Sequence, residues 1–312
     1  MICSPYSIEG HDPLRNMAIE HLLLDSISST GPLLLLYVNG PSVIIGRNQN
    51  PWREISPAST VPWFRRASGG GAVYHDEGNL NWSFIVPRDT HDQDAELASI
   101  ARGVSSCGAL VSPGARGGIF CDPSTGYGGK KISGTARRFG RTSVIHHGTL
   151  LVSTDMERLR SCLGGMTTVD DHGIASVPAS PVNFADLVPG VSVDDMMESL
   201  ARTSTGLSPS PLPSDMVDPV RLASDEKLLG SADWKFGTTP PFLVNMGFGT
   251  IHLSVSVKAG LVGGITVNDM DEECAVSSSI RSVVAGFTGR PFSYILGEEI
   301  EAAISSRMSS SA

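Results

Sequence analysis

The chain has 312 residues, 40% of them hydrophobic and 18% charged, with a mean hydropathy of +0.04 and a formal net charge of −9. That length suits one large domain or two ordinary ones, and the composition excludes a disordered chain, a collagen-like repeat and a disulfide-stapled miniature. The acidic balance excludes a general nucleic-acid binder, and the longest apolar run, Leu33 to Val38, is far short of the ~20 residues a membrane helix needs.

The first residues carry Glu9 and Asp12 without an Arg-rich amphipathic stretch, so no signal or transit peptide is expected there. His11–Ser26 reads as a helix: Asp12-Pro13 is a start signal, and Met17, Ile19, Leu22, Leu23 and Leu24 form its apolar stripe. Leu33–Val38 and Ser42–Ile45 read as strand, turn and strand across Asn39-Gly40-Pro41. Trp63–Arg66, Leu80–Val86 and Thr142–Ser153 are further strands, and Ala95–Leu110 and Ser153–Leu163 are helices. Thr203–Pro219, rich in Ser and Pro, reads as a loop or linker. Ile251–Val257 alternates in period two and pairs with Gly264–Val267, and Asp271–Phe287 and Ser293–Ser306 are helices, which together make a small C-terminal α+β module.

Five cysteines, Cys3, Cys107, Cys121, Cys162 and Cys274, form no CxxC pair and predict free thiols in a reducing compartment. Charge is uneven. Lys130, Lys131, Arg137, Arg138 and Arg141 fall within twelve residues, and Asp122 is the sole acid between Gly108 and Val152. A local basic site on an acidic protein suits a small anion or an acidic docking surface, and equally a solvated loop.

Three segments carry chemistry. In Arg65-Arg66-Ala67-Ser68-Gly69-Gly70-Gly71-Ala72-Val73-Tyr74-His75-Asp76, three glycines follow a strand, where they expose backbone N–H groups and admit a close ligand. The preceding arginines offer forked donors to phosphate or carboxylate. The segment has neither a Walker A nor a dinucleotide pattern. Lys130-Lys131-Ile132-Ser133-Gly134-Thr135-Ala136 sets a lysine beside a small-residue turn, able to hold an acyl oxygen and a phosphate together. His146-His147-Gly148-Thr149 has no ligand cluster near it, which favours packed, hydrogen-bonded histidines over a metal site. Cys121, near the cations, is a thioester nucleophile or a buried inert thiol.

Together these segments resemble the lipoate–protein ligase A and lipoyltransferase family. The resemblance runs through Gly46-Arg47-Asn48-Gln49-Asn50-Pro51-Trp52, Arg65 to Asn79, Lys131 to Ala136 and His146 to Leu151, and more weakly through Gly173–Val177 and Trp234–Gly237. It implies a mixed α/β (α+β) fold: a mixed-sheet catalytic domain over residues 1–237 and an accessory domain over 238–312. It implies a ligase that activates lipoate with ATP and Mg²⁺ to lipoyl-AMP, then acylates a lysine of a lipoyl-domain protein such as glycine-cleavage H protein or an E2 subunit of a 2-oxoacid dehydrogenase. The alternatives are a lipoyltransferase without the activation step, fed by lipoyl-AMP or a lipoylated protein, and an octanoyltransferase using Cys121. By the same resemblance Lys131 is catalytic. Arg47, Arg66, Ser68, Gly69, Gly70, Gly71, Val73, Tyr74, His75, Asn79, Ser133, Gly134, Ala136 and His147 bind the adenylate, and Asp122 holds Mg²⁺. Two departures stand out. Cys121-Asp122 replaces the family's Asn-Asp, and Pro178-Ala179-Ser180-Pro181 stands where ligases carry basic residues. A monomer is expected, with no nucleic-acid or membrane partner, mitochondrial in a eukaryote and cytoplasmic otherwise.

Overall fold

Four consecutive leucines, Leu33 to Leu36, have no exposed surface, which a strand achieves when both faces of its sheet are covered. The structure, a computed structural model, describes residues 3–114, 117–268 and 275–309. Its main sheet has eight strands in the order β12 (Ser210–Pro211), β1 (Ser4–Ser7), β2 (Leu33–Val38), β6 (Asn79–Pro87), β10 (Ser143–Leu151), β9 (Lys131–Phe139), β8 (Gly118–Cys121) and β7 (Val111–Gly114). β1 runs parallel to β2 and β12, and the other pairs are antiparallel.

Helices α3 (Gln93–Ser105) and α5 (Val193–Thr205) cover one face, packing Leu97, Ile100, Val104, Met196 and Leu200 onto Leu34, Leu36, Trp82 and Phe84. Helices α1 (Pro13–Thr30) and α6 (Pro219–Gly230) cover the other, where Met17, Ile19 and Leu22–Leu24 meet Leu33, Leu35, Tyr37 and Ile85. The fold is mixed α+β, as the sequence implies.

A three-stranded sheet, β4 (Trp63–Arg65), β3 (Ser42–Ile45) and β5 (Val73–His75), lies beside the main one. Thus Asn39-Gly40-Pro41 carries the chain from one sheet to the next. The short helices α2 (Pro51–Glu54) and α4 (Met156–Cys162) flank it. Beyond the π-turn Asp233–Gly237, strands β13 (Phe242–Phe248), β14 (Ile251–Lys258) and β15 (Leu261–Asn268) carry α7 (Ala275–Ala285) and α8 (Leu296–Ser309). This C-terminal sheet takes its fourth strand, β11 (Val169–Asp171), from the preceding part of the chain. Trp52 of α2 enters its core, with ring centroids 5.2–5.6 Å from Phe236, Phe242 and Phe292.

Two expectations change. The Ser/Pro stretch after Thr203 is an edge of the main sheet: α5 ends on the left-handed Gly206, and Ser210-Pro211 pairs with β1. Proline lacks an amide donor, so an outermost strand is where a sheet tolerates it. Lys131–Ala136 is the start of β9 rather than a turn. Its small residues are needed because a Cβ on the neighbouring Gly148 would already lie 2.7 Å from the Gly134 carbonyl and 2.6 Å from Trp82. Residues 269–274, including Cys274 and the start of the expected Asp271–Phe287 helix, lie outside the described residues.

Candidate functional site

A cavity of about 510 Å³ opens where β9, β10 and β5 meet the loop before β5 and the segment Ile174–Ser180. Its size falls within the range of small-molecule sites. Among the expected residues, Arg66, Gly70, Gly71, Val73, His75, Lys131, Gly134, Ala136 and His147 line it.

The triple-glycine loop is shaped by its own arginine. Arg66 donates from Nε and Nη2 to the Gly69 carbonyl, from Nη2 to Gly71 O at 2.7 Å and from Nη1 to Ile44 O. Its fork is therefore spent on loop carbonyls. Burial lowers its pKa to about 10, still cationic at neutral pH. Gly70 has φ +86°, a left-handed conformation that glycine adopts without penalty. A Cβ at Gly46 would stand 2.1 Å from the Gly70 carbonyl, so this crossing admits no side chain.

Ser176 pins the loop from above. Its hydroxyl accepts from Ala72 N at 2.8 Å and from Gln49 Nε2 at 3.1 Å, and donates to the buried Glu54 carboxylate. The weakly matching Gly173–Val177 thus closes the cavity through Gln49, Glu54 and the glycine loop. None of the residues from Ile174 to Ser180 in this wall carries a charge.

Lys131 opens β9, its backbone bonded to Ser180 O and Val182 N. Burial draws its ammonium below the usual lysine range. A register irregularity where Ile119 and Phe120 face Ser133 and Lys131 leaves Ile132 unpaired. Such a bulge shifts the alternation of side chains. Lys131 borders the cavity before it and Gly134, Thr135 and Ala136 after it, while Ser133 does not line it.

His75 is neutral, because burial and then the Arg66 charge push its pKa down to about 3. Asn16 Nδ2 donates to the Gly10 and Val38 carbonyls and to Asn39 Oδ1, which turns Asn39 Nδ2 toward His75 Nδ1 at 2.9 Å. That chain assigns the proton to Nε2, which has no hydrogen-bond partner of its own among the described residues. His147, the other cavity imidazole, lies between Glu20, 3.0 Å from Nδ1, and Ser68 Oγ, 2.7 Å from Nε2. Burial would raise the Glu20 carboxyl, but the interaction with His147 and hydrogen bonds from Ser83 and Tyr37 hold it below the usual range.

The other expected residues stand apart. Tyr74 points from β5 into a separate cluster with Val43, Ile45 and Cys162. Asn79 is buried two residues before Asn81, which takes the cavity place. Arg47 stacks on Trp234 at 4.8 Å, and Ser68 and Gly69 support the loop from behind. Arg65 is fully buried and holds the Gly46, Arg47, Gln49 and Lys235 carbonyls and Thr239 Oγ1, so it offers no donors to a ligand.

Two further expected residues lie outside the cavity. Asp122 caps the turn Pro123–Thr125, its carboxylate bound to Ser124 N and Oγ outside the cavity, and no cluster of three His, Cys, Asp or Glu suited to a metal occurs among the described residues. Cys121 is 2% exposed in the core between the sheet and α3, and burial raises its thiol above the reactive range.

Sequence reasoning missed Glu20 and Tyr37, which also line the cavity. The signal was present: Glu20 interrupts the apolar stripe between Met17 and Leu24, and Tyr37 carries the polar group of an otherwise aliphatic strand.

The fold and this cavity set one lysine and a glycine loop on a pocket of small-molecule size. The family profile described as "Lipoyl protein ligase A/B catalytic domain" matches residues 12–205. The chain is 31% identical over 273 residues to the mitochondrial lipoyl amidotransferase of Homo sapiens, covering 82% of this chain and 72% of that protein. The chain belongs to the lipoate–protein ligase and lipoyltransferase family. Among solved structures it is similar to a P. falciparum protein in complex with lipoate (TM-score 0.64, 20% identity, 93% of this chain and 90% of that one). It is also similar to a lipoate-protein ligase A bound with ATP (TM-score 0.61, 21% identity, 74% and 98%). These two likenesses concern the fold.

Proposed function

We propose that this enzyme is a lipoyltransferase that moves an amide-linked lipoyl group from one lipoylated protein to the ε-amine of a lysine on another, without activating lipoate with ATP. The observation that carries the reading is the charge of the cavity wall. Its Lys and Arg side chains among the described residues are Lys131 and Arg66, and Arg66 is committed to loop carbonyls. The segment Ile174–Ser180 adds no cation, and Glu20 adds an anion. A triphosphate needs several fixed positive charges, whereas an acyl amide needs one donor for its carbonyl oxygen.

In this reading Lys131 holds the acyl oxygen as negative charge develops there, and the Gly70–Gly71 loop forms the wall behind it. His75 stands uncharged in the same wall. The residues present do not fit a resident Mg²⁺, so no step runs through one. The relative's name supports mitochondria as the compartment, and H protein and E2 lipoyl domains are the proposed donors and acceptors.

Intact-mass spectrometry of an apo E2 lipoyl domain tests this. The domain is incubated with the enzyme and, in separate reactions, lipoylated H protein, preformed lipoyl-adenylate, or lipoate with MgATP. The expected result is modification from the lipoylated protein and none from lipoate with MgATP. Modification from lipoate with MgATP makes the enzyme a complete ligase, and modification from lipoyl-adenylate alone makes the adenylate its donor.

A further inference from the structure

Strand β10 carries consecutive histidines that face opposite sides of the sheet. His146 turns to the α3 side, where Glu96 holds its Nδ1 at 2.7 Å, fully buried. His147 turns to the cavity, where Glu20 holds its Nδ1 at 3.0 Å. Only the second pair borders the cavity.

Hydrogen-bond directions around His147 are fixed by its neighbours. The Glu20 carboxylate accepts at Nδ1, so Nδ1 carries the proton of the neutral ring. Arg66 Nε donates to Ser68 Oγ at 3.0 Å, which leaves the Ser68 hydroxyl to donate to Nε2 at 2.7 Å. Nε2 is thus a basic nitrogen capped by the Ser68 hydroxyl. The carboxylate behind it can match the charge of an imidazolium. Carboxylate, imidazole and hydroxyl in this order are the parts of a proton-transfer relay.

We propose that His147, positioned by Glu20, is the acid–base catalyst of acyl exchange between two lysines, a role that rests on the amide-donor reading above. The acceptor amine attacks the lipoyl carbonyl, forming a C–N bond, and its proton passes to His147 Nε2 as Ser68 turns aside. The C–N bond to the donor lysine then breaks, and Nε2 returns the proton to the departing nitrogen. One proton is taken and one returned, and no other reactant is consumed. An adenylate donor needs only the first half, because its phosphate leaves without a proton. An amide donor needs both, because an amine cannot leave as its anion.

The groups facing His147 set the pH dependence. They are Glu20 from α1, Tyr37 from β2, Arg66 and Ser68 from the loop after β4, and His75 from β5. Arg138 of β9 and His21 of α1 border a small adjoining recess that His147 also lines, and Lys131 borders the main cavity.

The test compares wild type with Glu20→Gln in single-turnover transfer to an apo E2 lipoyl domain, from lipoylated H protein and from lipoyl-adenylate, between pH 5.5 and 9. General acid–base catalysis contributes ~10²–10⁴-fold. Transfer from the lipoylated protein is expected to fall about 1,000-fold and transfer from the adenylate about 10-fold. The pH–rate bell should move to lower pH by about one unit, because the imidazolium loses its counter-charge. Glu20→Asp, which keeps the charge, should recover part of the lost rate. Equal losses with both donors and an unshifted bell overturn the proposal and make Glu20 a purely structural residue. A wild-type enzyme that accepts the adenylate but not the lipoylated protein overturns the amide-donor reading itself, a failure visible before any variant is made.

Discussion

At Lys131 a single ammonium stands in a half-buried cavity wall with its charge already disfavoured by burial. A cation so placed costs less to neutralise and gains more from a developing oxyanion than one in water. Lys131→Ala is expected to slow transfer by about 10²–10³-fold, comparable to the loss of an oxyanion donor. The same variant should leave circular dichroism and Tm nearly unchanged, and undiminished transfer removes Lys131 from the site. Cys121 makes the opposite case. Its thiol packs among Ile119, Ile132 and Leu97 and does not line the cavity. Cys121→Ala should therefore transfer lipoyl groups at the wild-type rate, and a tenfold loss by a folded variant would restore the thioester route. Position in the sequence, nine residues before a basic cluster, suggested reactivity that the side chain's direction denies.

Among the elements, the glycine loop depends on two neighbours distant in sequence. Gly46→Ala would put a methyl 2.1 Å from a backbone carbonyl, a contact relieved only by moving the loop. Both Tm and transfer should fall, and a variant with wild-type Tm would show that the crossing is not tight. Ser176→Ala removes the acceptor of Ala72 N and the donor to Glu54. An unmade buried hydrogen bond costs ~1–3 kcal/mol. The expected result is a raised KM for the lipoyl donor with a smaller change in kcat. Neither coupling is readable from sequence. The triple glycine, Lys131 and His147 were legible because each lies in a dense local motif. Glu54 and Ser176 were not, because each acts through a partner more than a hundred residues away, and Glu20 left only the break it makes in an apolar stripe. Secondary structure followed the same division. The aliphatic run of β2 and the stripe of α1 are strong local patterns, while β5 and β8 are too short, and β9 too rich in small residues, to give one.

For the whole molecule, Arg65 joins the catalytic sheet to the C-terminal module through Lys235 O and Thr239 Oγ1. Arg65→Met would leave several buried carbonyls without a donor. Limited proteolysis should then cleave near residues 233–241 faster than in wild type, and equal cleavage rates would deny that role. Acid stability is also a property of the whole chain. His75 is held to about 3, and burial lowers His21 and His146 as well. The unfolded chain takes up these protons near pH 6.5, whereas the native state refuses them. Protons bind the unfolded state more tightly, so stability is lost as pH falls from about 6.5 toward 3. The lowered Glu20 carboxyl acts in the same direction at more acid pH. Tm should fall steadily between pH 7 and 4.5, with a shallower fall in His75→Gln, and a flat profile counts against the buried neutral imidazoles.

The amide chain from Asn16 through Asn39 to His75 makes the cavity's hydrogen-bonding sense depend on a helix residue that touches no ligand. Asn16→Asp deletes the donors to the Gly10 and Val38 carbonyls and invites the Asn39 amide to turn over. His75 would then meet an oxygen at Nδ1, move its proton there, and leave its lone pair on Nε2. Nitrogen-15 NMR of the His75 ring reads that exchange directly. One atom changed in the first turn of α1 would thereby decide which nitrogen of a cavity-wall imidazole carries the proton.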